Sequence, residues 1–94
     1  MMSEIPIDLK KVDSSDIDKE ILRVGMIAEL DAINLYEQMA ALAKDSKIKK
    51  MLLDIAKEEK THLGEFQHLL LNRDSEQAKE LEKGKAEVKK EVGE

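Results

Sequence analysis

Apolar and polar positions alternate with a helical period along most of the chain. One stripe runs through Leu22, Met26, Ala32, Ile33, Tyr36 and Ala40, and a second through Ile48, Met51, Leu52, Ile55, Phe66, Leu69 and Leu70. Residues three and four apart share one face of an α-helix, so each stripe predicts an amphipathic helix. The first helix is expected from about Ser15 to about Ala43, the second from about Ser46 to about Leu71 and a third from about Ser75 to Val92.

The punctuation between stripes agrees. Asp13-Ser14-Ser15-Asp16 offers several N-caps, with Ser15 followed three later by Asp18 in a loose capping box. Lys44-Asp45-Ser46 is a short break with Asp45 as the next cap, and Asp74 with Gln77 caps the third helix. A link this short makes the first two helices antiparallel neighbours. Gly25 costs the first helix up to about 1 kcal/mol relative to Ala. The third helix has only Leu81, Val88 and Val92 as large apolar residues and carries Gly84 in its middle, so alone it is marginal. The expected fold is therefore all-α. An arm over residues 1–13, which contains Pro6 and no periodicity, leads to a helical hairpin over 14–72. A C-terminal helix over 73–94 serves subunit contacts.

Ionisable residues interrupt both apolar stripes. Glu29 is set into the first, and Glu59 and His62 into the second. A carboxylate facing a core must protonate, pair with a cation or bind a metal. Neither stripe carries a Lys or Arg to neutralise it, which makes a metal the economical explanation. Counted from the break at 44–46, Glu29 and Glu59 reach nearly the same level of an antiparallel hairpin. His62 lies one turn beyond Glu59, and Tyr36 lies two turns from Glu29 on the same face. Di-iron carboxylate bundles take a Glu from each of two helices and a Glu-x-x-His from each of the other two. One copy of this chain supplies half of that set, so two copies complete a four-helix bundle. Oxygen donors with one imidazole suit iron or manganese; structural zinc usually recruits thiolates or more histidines.

Composition narrows the alternatives. In 94 residues only 2% are aromatic, so the core is built from Leu, Ile, Met and Ala, and a chain so short gains from a second copy. Net charge is −5 with basic residues scattered among acidic ones, a poor surface for nucleic acid. Absence of cysteine excludes disulfides, thiolate metal sites and Cys nucleophiles. No signal peptide or membrane span is visible in the sequence, and a cytoplasmic protein is expected.

The runs Ala28-Glu29-Leu30-Asp31-Ala32-Ile33-Asn34-Leu35-Tyr36-Glu37-Gln38 and Ala56-Lys57-Glu58-Glu59-Lys60-Thr61-His62-Leu63-Gly64-Glu65-Phe66 closely resemble the encapsulated ferritins. These are two-helix ferritin-like proteins that accompany, or are fused to, encapsulin shells. The resemblance covers about residues 15–92. It implies a di-iron ferroxidase centre across a two-fold interface, with two irons per dimer, Glu29, Glu59 and His62 as ligands, and Tyr36 beside them. It also implies a weaker entry site at Asp31, a ring-shaped homodecamer, and Fe(II) oxidation for mineral storage inside an encapsulin nanocompartment. Manganese, calcium or zinc are expected as stand-ins for iron. Leu35 replaces a Trp found in many relatives. The tail from Lys85 to Glu94 lacks a Gly/Leu/Ile-rich targeting peptide, so the chain is expected to be a free-standing homologue or part of a shell fusion.

Simpler readings stand beside these. Glu59 and His62 also fit an intrahelical ion pair, Tyr36 a core residue, and Met26, Met39 and Met51 core filling rather than haem ligation. His68 is read as a surface histidine, and Glu37, Glu58 and Glu65 as exposed charge. The competing functions are a rubrerythrin-like peroxide reductase and a helical adaptor holding a structural divalent ion.

Overall fold

The computed structural model describes Asp13 and residues 16–94. The expected N-terminal arm up to residue 12 and the Ser15 cap lie outside the described residues. Three helices follow in order, α1 (Ile17–Leu42), α2 (Ser46–Leu71) and α3 (Ser75–Val92), with no strand among the described residues.

Helix α1 starts two residues later than its spacing suggested. Asp16 is the N-cap and its side chain makes no capping bond. Instead the Asp16 N–H closes a turn on the Asp13 carbonyl at 2.9 Å. At the other end Ala43 turns to extended backbone, one residue earlier than expected. The bounds of α2 and α3 match the sequence reading because their caps act locally. Asp45 Oδ1 accepts from the N–H groups of Lys47 at 2.8 Å and Ile48 at 3.3 Å. No acidic residue lies in the first turn of α2, so the Asp45 carboxylate also supplies the negative charge that a helix N-terminus favours. Helix α3 continues through Gly84 and ends at Gly93, whose φ of 76° is the left-handed conformation that glycine adopts without strain.

Helices α1 and α2, each 26 residues, pack antiparallel along their length. The deeply buried apolar side chains are few: Ile33, Ala40, Ala56 and Leu70. Part of the predicted apolar face of α2, namely Ile48, Met51 and Leu69, has no cover within one chain. Ile48 is 56% exposed and Met51 57%, so Met51, read above as core filling, does not fill a core here. The reason is geometric: two helices bury only the strip along which they touch. The chain exposes 7491 Å², whereas a compact monomer of 10.7 kDa exposes about 5,500 Å².

Helix α3 is anchored by charge more than by packing. None of its side chains is buried. Asp74 Oδ1 accepts the Gln77 N–H at 3.0 Å and caps α3, while Oδ2 accepts from Arg23 Nη2 of α1 at 2.8 Å. The Gln77 N–H holds the Asp74 carboxyl below the usual carboxylate range. Burial pushes the other way, and the Arg23 hydrogen bond with the Lys19 and Arg23 charges adds to the lowering. A carboxyl with a depressed folded-state pKa stabilises the fold fully above its unfolded value, near 3.9, and loses that contribution as pH falls through the folded value. Asp74→Asn should therefore melt at lower temperature than the parent chain at pH 7, with the gap narrowing below pH ~4. Circular dichroism melts across that range check it; a gap that persists in acid removes Asp74 ionisation as the cause.

Candidate metal centre

Helix α1 contributes Glu29 to mid-hairpin, and α2 contributes Glu59 and His62 from successive turns of one face. One donor atom from each lies within 4.8 Å of the others. His62 Nδ1 stands 3.4 Å from Glu59 Oε2 on its own helix and 3.7 Å from Glu29 Oε2 across the helix pair. One turn towards the hairpin link, Ile33 and Ala56 are buried and seat the cluster. On the open side His62 remains 46% exposed, while the Glu29 and Glu59 side chains are 16% and 20% exposed.

Glu29 Oε2 is buried and accepts no hydrogen bond. Leaving such an oxygen unsatisfied costs about 1–3 kcal/mol, and the 3.7 Å approach of His62 is too long to repay it. Two carboxylate oxygens and an imidazole nitrogen at this spacing fit a small divalent cation. Bonds of 2.0–2.2 Å around such an ion place neighbouring donors about 3–3.5 Å apart, close to the 3.4 and 3.7 Å observed. The donor set and the orphaned oxygen thus both suit a cation held between α1 and α2.

The remaining candidates lie elsewhere. Tyr36 is half-buried on α1, two turns nearer the hairpin link than Glu29. Asp31, two residues after Glu29, is rotated about 200° around the helix at 100° per residue and is not among the three clustered donors. His68 is exposed and contacts Asn72 Nδ2 at 3.3 Å, in keeping with a surface role. Glu58 and Glu65 are exposed, and Glu37 pairs with Lys60 of α2 at 3.1 Å, a surface bridge of small energetic weight. The Arg23–Asp74 and Glu37–Lys60 bridges had no signal in the sequence, because their partners are far apart along it.

In sequence and fold the chain is similar to known proteins. Residues 20–94 match the Rubrerythrin family model. Over 74 residues, 79% of this chain, it is 61% identical to the ferritin-like-encapsulin shell fusion protein of Pyrococcus furiosus, of which it spans 21%. The crystal structure of the encapsulated ferritin domain from Pyrococcus furiosus superposes with a TM-score of 0.86 at 51% identity. That match covers all of this chain and 98% of the other. A chain whose helical hairpin and sequence both match that domain is a member of the encapsulated ferritin family, within the wider rubrerythrin-type group.

Proposed function

We propose that the chain is a ferroxidase, an Fe(II):oxygen oxidoreductase whose centre is completed by a second copy. The observation that carries this is the buried, unsatisfied Glu29 Oε2 facing Glu59 and His62 within 4.8 Å. Two copies would bring four carboxylates and two imidazoles together, a charge of −4 that two divalent irons neutralise. In that arrangement Glu59 of each copy would be shared between the two ions, and Glu29 and His62 would each serve one of them. Two Fe(II) ions held there as substrate would give up one electron each, and the two electrons, with two protons from water, would reduce dioxygen to hydrogen peroxide or hydrogen peroxide to two waters. The carboxylates stabilise the resulting Fe(III), because hard oxygen donors favour the harder ion. Glu29, withdrawn from water, favours a bound cation over its own hydration. Tyr36 orders the adjacent face, and Asp31 serves as a weaker entry site.

The uncovered apolar surface supports pairing, since Leu30, next to Glu29, is 51% exposed. Helix α3, with Leu81, Val88 and Val92 exposed, is assigned to contacts that build a ring, a homodecamer by resemblance. The fusion of a relative to an encapsulin shell supports iron storage with a shell partner, in a cytoplasmic nanocompartment. No described helix is long and apolar enough to cross a membrane.

Glu29→Ala, Glu59→Ala and His62→Ala should each slow Fe(II) oxidation about 100-fold or more, since even supporting groups around a metal cost 10–100-fold. Stopped-flow absorbance measures the rate and circular dichroism verifies that the helices persist; wild-type rates in all three would refute the assignment. Native mass spectrometry with Fe(II) added should shift the chain from monomer to even-numbered assemblies carrying two irons per pair. An unchanged mass distribution would disconnect the metal from assembly. The Rubrerythrin match favours one second reading, peroxide reduction at the same donors. Repeated turnover of hydrogen peroxide with an electron donor, and no accumulating ferric product, would select that reading over iron storage.

A further inference from the structure

Gly25 stands one turn before Glu29 on α1, and Phe66 one turn beyond His62 on α2. Because the helices run antiparallel, both lie on the same side of the metal cluster, away from the hairpin link. A Cβ placed on Gly25 would meet Phe66 Cε1 at 3.0 Å and Cδ1 and Cζ at 3.1 Å. Nearly equal distances to three consecutive ring carbons mean that the ring lies with its face on the α1 backbone. A half-rotation of the ring presents the same surface again, so flipping gives no relief.

Building on the ferroxidase reading, we infer that the Gly25–Phe66 contact is the spacer that sets the Glu29 distance to the other two donors. Gly25 is thus a positioning residue for the centre. Glu59 and His62 share a helix, so their 3.4 Å separation depends on their own rotamers and not on the distance between helices. The 3.7 Å from Glu29 to His62 crosses between helices and depends on how closely the backbones approach. The nearest layer away from the link is this contact, about 6 Å along the axis at 1.5 Å per residue. A methyl at position 25 must displace the ring or the helix by a few tenths of an ångström. Metal–ligand distances tolerate about 0.2 Å, so a shift of that size reaches the donors. Glycine is a poor residue for a helix interior, and the ring contact explains why α1 keeps one there.

The test compares the full chain with Gly25→Ala and with Gly25→Ala/Phe66→Leu, using Co(II) as the probe. Crystal structures of the metal-free proteins should show the Glu29–His62 separation lengthened in the single variant and the Glu59–His62 separation unchanged. Co(II) affinity, read from its visible absorbance, should fall about 10-fold in the single variant and return to within about twofold of the parent in the double variant. A purely structural glycine gives the opposite pattern. Ala then raises the melting temperature through its helix propensity and leaves the separation and the affinity unchanged, which overturns the spacer. A double variant that stays as weak as the single also overturns it, because the ring is then not the cause. If the parent chain binds no Co(II), the ferroxidase reading fails, and the metal-free separations alone decide the spacer.

Discussion

A carboxylate oxygen withdrawn from water with no hydrogen bond to accept is the constraint from which the rest of the hairpin is best understood. Glu29 Oε2 is in that position, and it is there because the apolar register of α1 carries it inward with Ile33 one turn away. A chain selected for stability alone would place leucine or alanine at such a site. Retaining the charge makes sense where its cost is offset by something bound. Opposite it, α2 places Glu59 and His62, and among the described residues no lysine or arginine pairs with the cluster. The nearest cation along the helix, Lys60, points instead to Glu37 at 3.1 Å. Among the described residues the cluster is thus left with two carboxylates and no basic side chain paired to them, the setting in which the proposed cation would be favoured.

A second deficit lies in the surface. The chain exposes 7491 Å², on the order of 2,000 Å² above the expectation for its mass. Its Cα radius of gyration is 16.5 Å, against about 12–13 Å for a compact chain of this length. The excess includes Leu30 beside Glu29 and Met51 two turns before Glu59. Both deficits therefore fall on the hairpin that carries the donors. In the proposed dimer a second copy laid over that hairpin would cover apolar surface and bring more carboxylates and imidazole to the opening in one step, so that metal binding and association would be linked. A ligand at about 100 times its Kd stabilises the state that binds it by about 2.7 kcal/mol, enough to shift a marginal pair of hairpins towards the dimer.

What the sequence disclosed follows from what is local. The bounds of α2 and α3 were legible because Asp45 and Asp74 each bond the first turn of the helix they cap. The clustering of Glu29, Glu59 and His62 was legible because they break apolar stripes, and because helical spacing with a short link puts them at one level. The start of α1 was misplaced because four consecutive cap-forming residues, Asp13 to Asp16, compete there, and Asp16 prevails without a side-chain bond. The exposure of Ile48 and Met51 was hidden because periodicity says which face is apolar, not whether a neighbour covers it. Gly25 looked like a cost in isolation. Its reason is the Phe66 ring, which belongs to another helix 41 positions away.

The placement of α3 shows how charge substitutes for packing in a chain with too little core. A single carboxylate sets it: one oxygen of Asp74 fixes where α3 begins and the other ties that point to Arg23 on α1. The direction of the helix is thereby coupled to the hairpin at its base. Between α3 and the hairpin a groove of about 330 Å³ remains, with Met26, Ile27 and Leu30 on one wall and Leu81 on the other. Leu81 lines that groove yet remains 44% exposed, so apolar packing covers little of α3. Anchored instead at its capped end, it leaves its apolar side uncommitted. A polar latch at its base thus ties α3 to the hairpin, while Leu81, Val88 and Val92 stay exposed along its length.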